Sequence, residues 1–137
     1  GNIHNARMLS SQSIEDIMNT IEKLTTTVIG KDPQKWRDFI SYYSRVFNAS
    51  QLDFDRQLNL IIIWLQGANK LRQNLVSGFE RTGLHSRMIS FNEKFPNANI
   101  YKIILCIEEV KSLARQNLYM PLILLNMLLD IQELIYE

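Results

Sequence analysis

Residues 118–136, LYMPLILLNMLLDIQELIY, hold more apolar side chains than one buried helix face requires. Wound as a helix, Asn126, Asp130, Glu133 and Glu137 follow at four- and three-residue steps, which stack them on one side. Leu, Ile, Met and Tyr fill the rest of the circumference. A helix that is wet along one narrow stripe has to be covered on several sides, by its own domain, by a partner or by both. The stretch predicts an all-α fold and points to assembly rather than to chemistry.

Upstream, helix signals continue and strand signals are nearly absent. Ser13 opens a capping-box-like Ser-Ile-Glu-Asp, after which Ile14, Ile17, Met18, Ile21, Leu24 and Val28 keep one apolar face until Gly30. Asp32-Pro33 starts a second helix that runs to about Asn48 through Trp36, Phe39, Ile40, Tyr43 and Phe47. A third and longest pattern opens at Ser50 and extends to about Gly78 through Leu58, Ile61, Ile62, Leu65, Ala68, Leu71, Leu75 and Val76. Its second apolar face, Leu60, Ile63 and Trp64, makes it central, with a neighbour closely approaching Gly67. Residues 79–86 read as a loop, and a short helix from Arg87 to Phe95 is ended by Pro96. Asn97 can start the next helix, with Ile100, Ile103, Ile104, Ile107, Val110 and Ala114 inside and Lys102, Glu109, Ser112 and Gln116 outside; Asn117 closes it. Short connections predict a compact bundle of about five to six antiparallel helices, with residues 1–137 forming one domain.

The composition agrees: 46% hydrophobic and 21% charged residues describe a globular chain able to bury a core. Net charge is +2 over residues 1–86 (ten basic, eight acidic) and −1 over 87–137 (five basic, six acidic), so bulk charge makes neither part a polyanion binder. The single Cys106, between Leu105 and Ile107, reads as a buried, inert core thiol in a reducing, cytoplasmic compartment. No apolar run reaches the ~20 residues of a spanning helix, and the start lacks the pattern of a secretory signal. The opening falls in mid-pattern, as expected of a fragment of a longer chain.

Chemistry-bearing patterns are missing. His4 and His85 belong to no metal-binding spacing, Glu108 and Glu109 point ~100° apart on a helix, and no Gly-x-x-x-x-Gly-Lys-Ser/Thr loop occurs. Cys106 has no base nearby in sequence and apolar flanks that raise its pKa. The expectation is a non-enzyme with no catalytic residue, metal or cofactor. Lys70, Arg72, Arg81 and Arg87 cluster around the end of the long helix, but without interleaved exposed aromatics they read as a solvated helix end rather than a nucleic-acid site.

The order of these elements resembles the C-terminal helical collar of bacterial DNA polymerase III clamp-loader subunits, delta-prime above all. The resemblance covers the chain from about residue 12 onward. It is sharpest in NIYKIILCIEEVKSLARQN followed by LYMPLILLNMLLDI, where Ala114, Arg115 and Asn117 look like the family's A-R-x-N turn. Leu122, Leu124, Leu128, Leu129 and Ile131 look like its leucine-rich last helix. Residues 1–11, with Gly1-Asn2-Ile3 and Ala6 to Leu9, resemble the end of the lid domain that precedes the collar. The chain departs from the pattern at Tyr119, where a second Asn is frequent, at Leu125, where Glu is frequent, and near Gln66-Gly67, where an Arg-Asp pair is common.

The resemblance implies an oligomerisation domain that joins other clamp-loader subunits and meets DNA only through the complex. It implies no membrane and no small-molecule substrate. ATP hydrolysis would belong to partner AAA+ modules. Candidate interface residues are Leu118, Tyr119, Leu122, Ile123, Leu125, Met127 and Leu129, most of which could equally serve the domain's own core. Two alternatives stay open: a helical adaptor whose groove takes a partner's amphipathic helix, and a small nucleic-acid-binding module using the basic cluster.

Overall fold

The computed structural model describes residues 11–136. His4, nearly all of the stretch resembling a lid domain and Glu137 of the polar stripe lie outside the described residues. Six helices follow one another, with no strand among the described residues: α1 (Ser11–Ile29), α2 (Pro33–Ala49), α3 (Gln51–Arg72), α4 (Gly83–Lys94), α5 (Ile100–Ala114) and α6 (Met120–Ile135). The predicted all-α bundle is the fold observed. α3 packs against α1, α2, α4 and α5, while α6 closes the other side against α5, α2 and α1. No helix among the described residues is long and apolar enough to cross a membrane.

Local chemistry accounts for the helix starts. Asp32 accepts from the Gln34 amide at 2.9 Å with Pro33 in the first turn, and Ser50 accepts from Asp53 at 3.1 Å. Thr82 caps α4 through Leu84 at 3.2 Å, and Asn99 caps α5 through Lys102 at 3.1 Å. Each satisfies an amide that the first helical turn leaves without a partner.

Five boundary and burial expectations need correction. α3 stops at Arg72 rather than Gly78, because Asn74 turns left-handed (φ 59°) and the Leu75 amide reaches back to the Lys70 carbonyl at 2.9 Å. This is a Schellman closure with Asn where Gly is usual. Leu75 and Val76, expected on the buried stripe, are therefore exposed. The supposed loop 79–86 already contains the first turn of α4, since Thr82 provides the cap and Gly83 is helical. α5 is capped by Asn99, two residues after Asn97, and Cys106 is half-buried rather than enclosed.

The core centres on α3. Phe54, Leu58, Ile61, Trp64 and Ala68 are almost wholly enclosed, and Trp64 meets Phe91 of α4 edge to face at 5.3 Å. Leu60 and Trp64 are buried as their second apolar face predicts, and Gly67 is the point of closest approach. A Cβ built there would stand 2.7 Å from Met88 Cε, 3.1 Å from Met88 Sδ and 3.4 Å from a Phe79 ring carbon. Burial pushes the Tyr43 phenol of α2 well above its ordinary pKa, against a hydrogen bond with Thr20 that lowers it.

Polar side chains lock the connections. Arg72 donates from Nε to Asn92 Oδ1 at 2.7 Å, from Nη1 to the Ala98 carbonyl at 2.6 Å and from Nη2 to the Phe95 carbonyl. Asn92 in turn donates to the Ala68 carbonyl at 3.0 Å, so one guanidinium ties α3, α4 and the link to α5. Between α3 and α5, Lys111 donates to Asn59 and lies 4.0 Å from Asp55 and 3.6 Å from Glu108. Gln132 of α6 donates to the Val28 carbonyl at 3.0 Å, and the Asn99 amide bonds the Leu134 carbonyl at 3.0 Å.

Candidate functional site

α6 divides its apolar residues between two faces. Ile123, Leu124, Met127, Leu128, Ile131 and Ile135 are buried within the bundle, at the three- and four-residue spacing of a core stripe. Leu122 (54% exposed), Leu125 (36%) and Leu129 (47%) face outward, and Leu118 (47%) and the N-cap Tyr119 (72%) are exposed just before the helix. Of the seven candidate interface residues, Ile123 and Met127 thus belong to the core, and the other five form an accessible surface. Asn126, Asp130 and Glu133 are exposed beside the leucines, so the outer face is mixed rather than a single polar stripe.

The outer face continues onto α5. Leu105 and Leu129 line one open groove of about 1120 Å³ together with Cys106, Glu109, Asp130 and Glu133. Tyr101 (65% exposed) and Leu105 (48%), one turn apart, add apolar surface to α5. Sequence reasoning missed these two. They sit near Lys102 and Glu109, and an apolar pair on a polar face carries no periodic signal of its own. Exposed apolar clusters of this kind mark interaction surfaces more than scattered single residues do.

The remaining chemistry is sparse. Among the described residues, no group of three or more His, Cys, Asp or Glu side chains could hold a metal ion. Glu108 and Glu109 are exposed, and His85 is half-buried near the start of α4. Burial, with the carboxylates of Asp130 and Glu109 adding to it, pushes the Cys106 thiol up to about 11. The thiolate is the reactive form, so alkylation of Cys106 at pH 8 is expected to run about a hundredfold slower than for an ordinary thiol of pKa ~8.5. The rate should rise steeply towards pH 11. A normal alkylation rate at pH 8 would contradict this environment.

The basic cluster does not act as a unit. Arg72 is committed to Asn92, Phe95 and Ala98, and Arg87 faces Glu22 of α1 at 3.7 Å. Burial lowers the pKa of Arg72, and its donors point into the fold rather than to solvent. No protein-family model, no curated protein and no solved structure matches the chain.

Proposed function

We propose that this chain is a non-catalytic assembly domain, the collar of a delta-prime-like subunit that holds a bacterial DNA polymerase III clamp loader together in the cytoplasm. The observation that supports this reading best is the outward leucine row of α6, Leu122, Leu125 and Leu129, with Leu118 just before it, on a helix whose other face already completes the core. With Tyr119, Tyr101 and Leu105 it offers the apolar centre of an interface, and a standard interface covers ~800 Å² on each partner. The domain's work is mechanical. A rigid bundle keeps neighbouring subunits joined while attached ATP-driven modules move.

The adaptor reading would use the same surface with a different partner. The nucleic-acid reading based on the cluster after α3 is weakened, because Arg72 is engaged inside the fold.

Co-expression of the full-length protein with the other clamp-loader subunits of its organism tests the collar reading. The native chain is expected to co-purify with them. Leu122→Asp with Leu125→Asp should weaken association at least tenfold, because two charges would be desolvated at the interface centre. Both positions are exposed, so the melting temperature should shift by only a few degrees. If the native protein associates with none of those subunits, or the folded variant keeps them all, the collar reading fails.

A further inference from the structure

From the cleft between α1 and α2 we infer a second binding surface, one that takes the phosphate backbone of a single-stranded nucleic acid. The cleft, of about 410 Å³, is lined by Lys23, Lys35 and Arg45, with the hydroxyls of Thr26 and Ser41 and the ring of Tyr42. Lys35 and Arg45 have no carboxylate partner among the described residues. Lys23 sits 3.5 Å over the Tyr42 ring and likewise has no ion pair among them. The one acid in the cleft, Asp38, already accepts a hydrogen bond from the Gln34 side chain at 2.8 Å. Residues 23–45 hold five basic and two acidic side chains, a net +3, in a chain whose total is only +1. Of these, Lys23, Lys35 and Arg45 line the cleft itself against the single carboxylate of Asp38, a local net of +2.

The spacing selects the ligand. Lys35 and Arg45 are ten residues apart on α2, about 15 Å along its axis. One phosphate cannot reach both, whereas a strand carrying successive phosphates can, with the hydroxyls of Ser41 and Thr26 as further donors. The Lys23 ammonium already covers a face of Tyr42, so recognition falls on the backbone and is insensitive to base sequence.

The surface is independent of the leucine face of α6, and its test does not depend on clamp-loader partners. Anisotropy of a labelled 20-nucleotide oligo-dT should show binding in the micromolar range at low salt. The slope of log K against log salt should be about −2, that is ~0.7 for each of three cations. Lys35→Ala with Arg45→Ala removes two exposed cations that have no partner within the fold, and should reduce the slope to about −0.7. Arg81→Ala with Arg87→Ala removes the same charge elsewhere and should change affinity less than twofold. No binding at low salt, or equal losses in the two double variants, overturns the assignment. Binding to phosphatidylserine vesicles without binding to the oligonucleotide overturns it as well.

Discussion

Replacing Arg72 with methionine is expected to destabilise the protein by about 3 kcal/mol, read as a lower urea midpoint with an unchanged slope. Methionine fills much of the same space but donates nothing. The carbonyls of Phe95 and Ala98 and the side-chain oxygen of Asn92 would each lose a charged donor at the junction of α3, α4 and α5. A hydrogen bond to a charged group contributes ~1.5–3 kcal/mol, and partial exposure of this one reduces the sum of three. Arg72→Lys should recover less than half, because a point charge cannot reach three acceptors that a planar fork reaches together. A loss under about 1 kcal/mol for Arg72→Met would show that solvent replaces these bonds and that the guanidinium is no lock.

Gly67→Leu should be similarly damaging, at about 3 kcal/mol, with expression and melting temperature falling together. Even a Cβ at this position stands 2.7 Å from Met88 Cε, and the further carbons of leucine would meet Phe79. Gly67→Ala is a different case. The clashing atom is the end of a flexible side chain, and alanine gains up to ~1 kcal/mol of helix propensity over glycine, so the net effect should lie within about 1 kcal/mol of zero. Combining Gly67→Leu with Met88→Ala should restore part of the loss, a coupling of about 1–3 kcal/mol expected of residues sharing one space. If the double variant is simply the sum of its parts, the two side chains do not compete.

Both positions show how far local pattern reaches. The close approach at Gly67 was legible because a glycine beside Trp64, on a helix with two apolar faces, has little use except to admit a neighbour. Arg72 was legible only as one cation among four. Nothing local says that its donors turn towards Phe95 and Ala98, more than twenty residues away. The end of α3 was misplaced for a related reason: Leu75 and Val76 continue the apolar rhythm, while the left-handed Asn74 that breaks it has no steric signature as clear as glycine. The loop reading of residues 79–86 erred in the opposite sense, since Thr82 caps a helix that already begins at Gly83.

For the candidate surface, the sequence by itself determined that the last helix has more apolar residues than one face can bury, because side-chain direction along a helix follows from 3.6 residues per turn. It also determined the all-α class. Only the tertiary structure decided that Ile123 and Met127 turn inward while Leu122, Leu125 and Leu129 turn outward. It likewise decided that Arg72 turns its donors into the fold, while Lys23, Lys35 and Arg45 come to line one cleft between α1 and α2. The physical reason is that periodicity defines faces relative to one helix axis, whereas burial and ion pairing depend on which neighbours cover each face, and those neighbours come from distant parts of the chain.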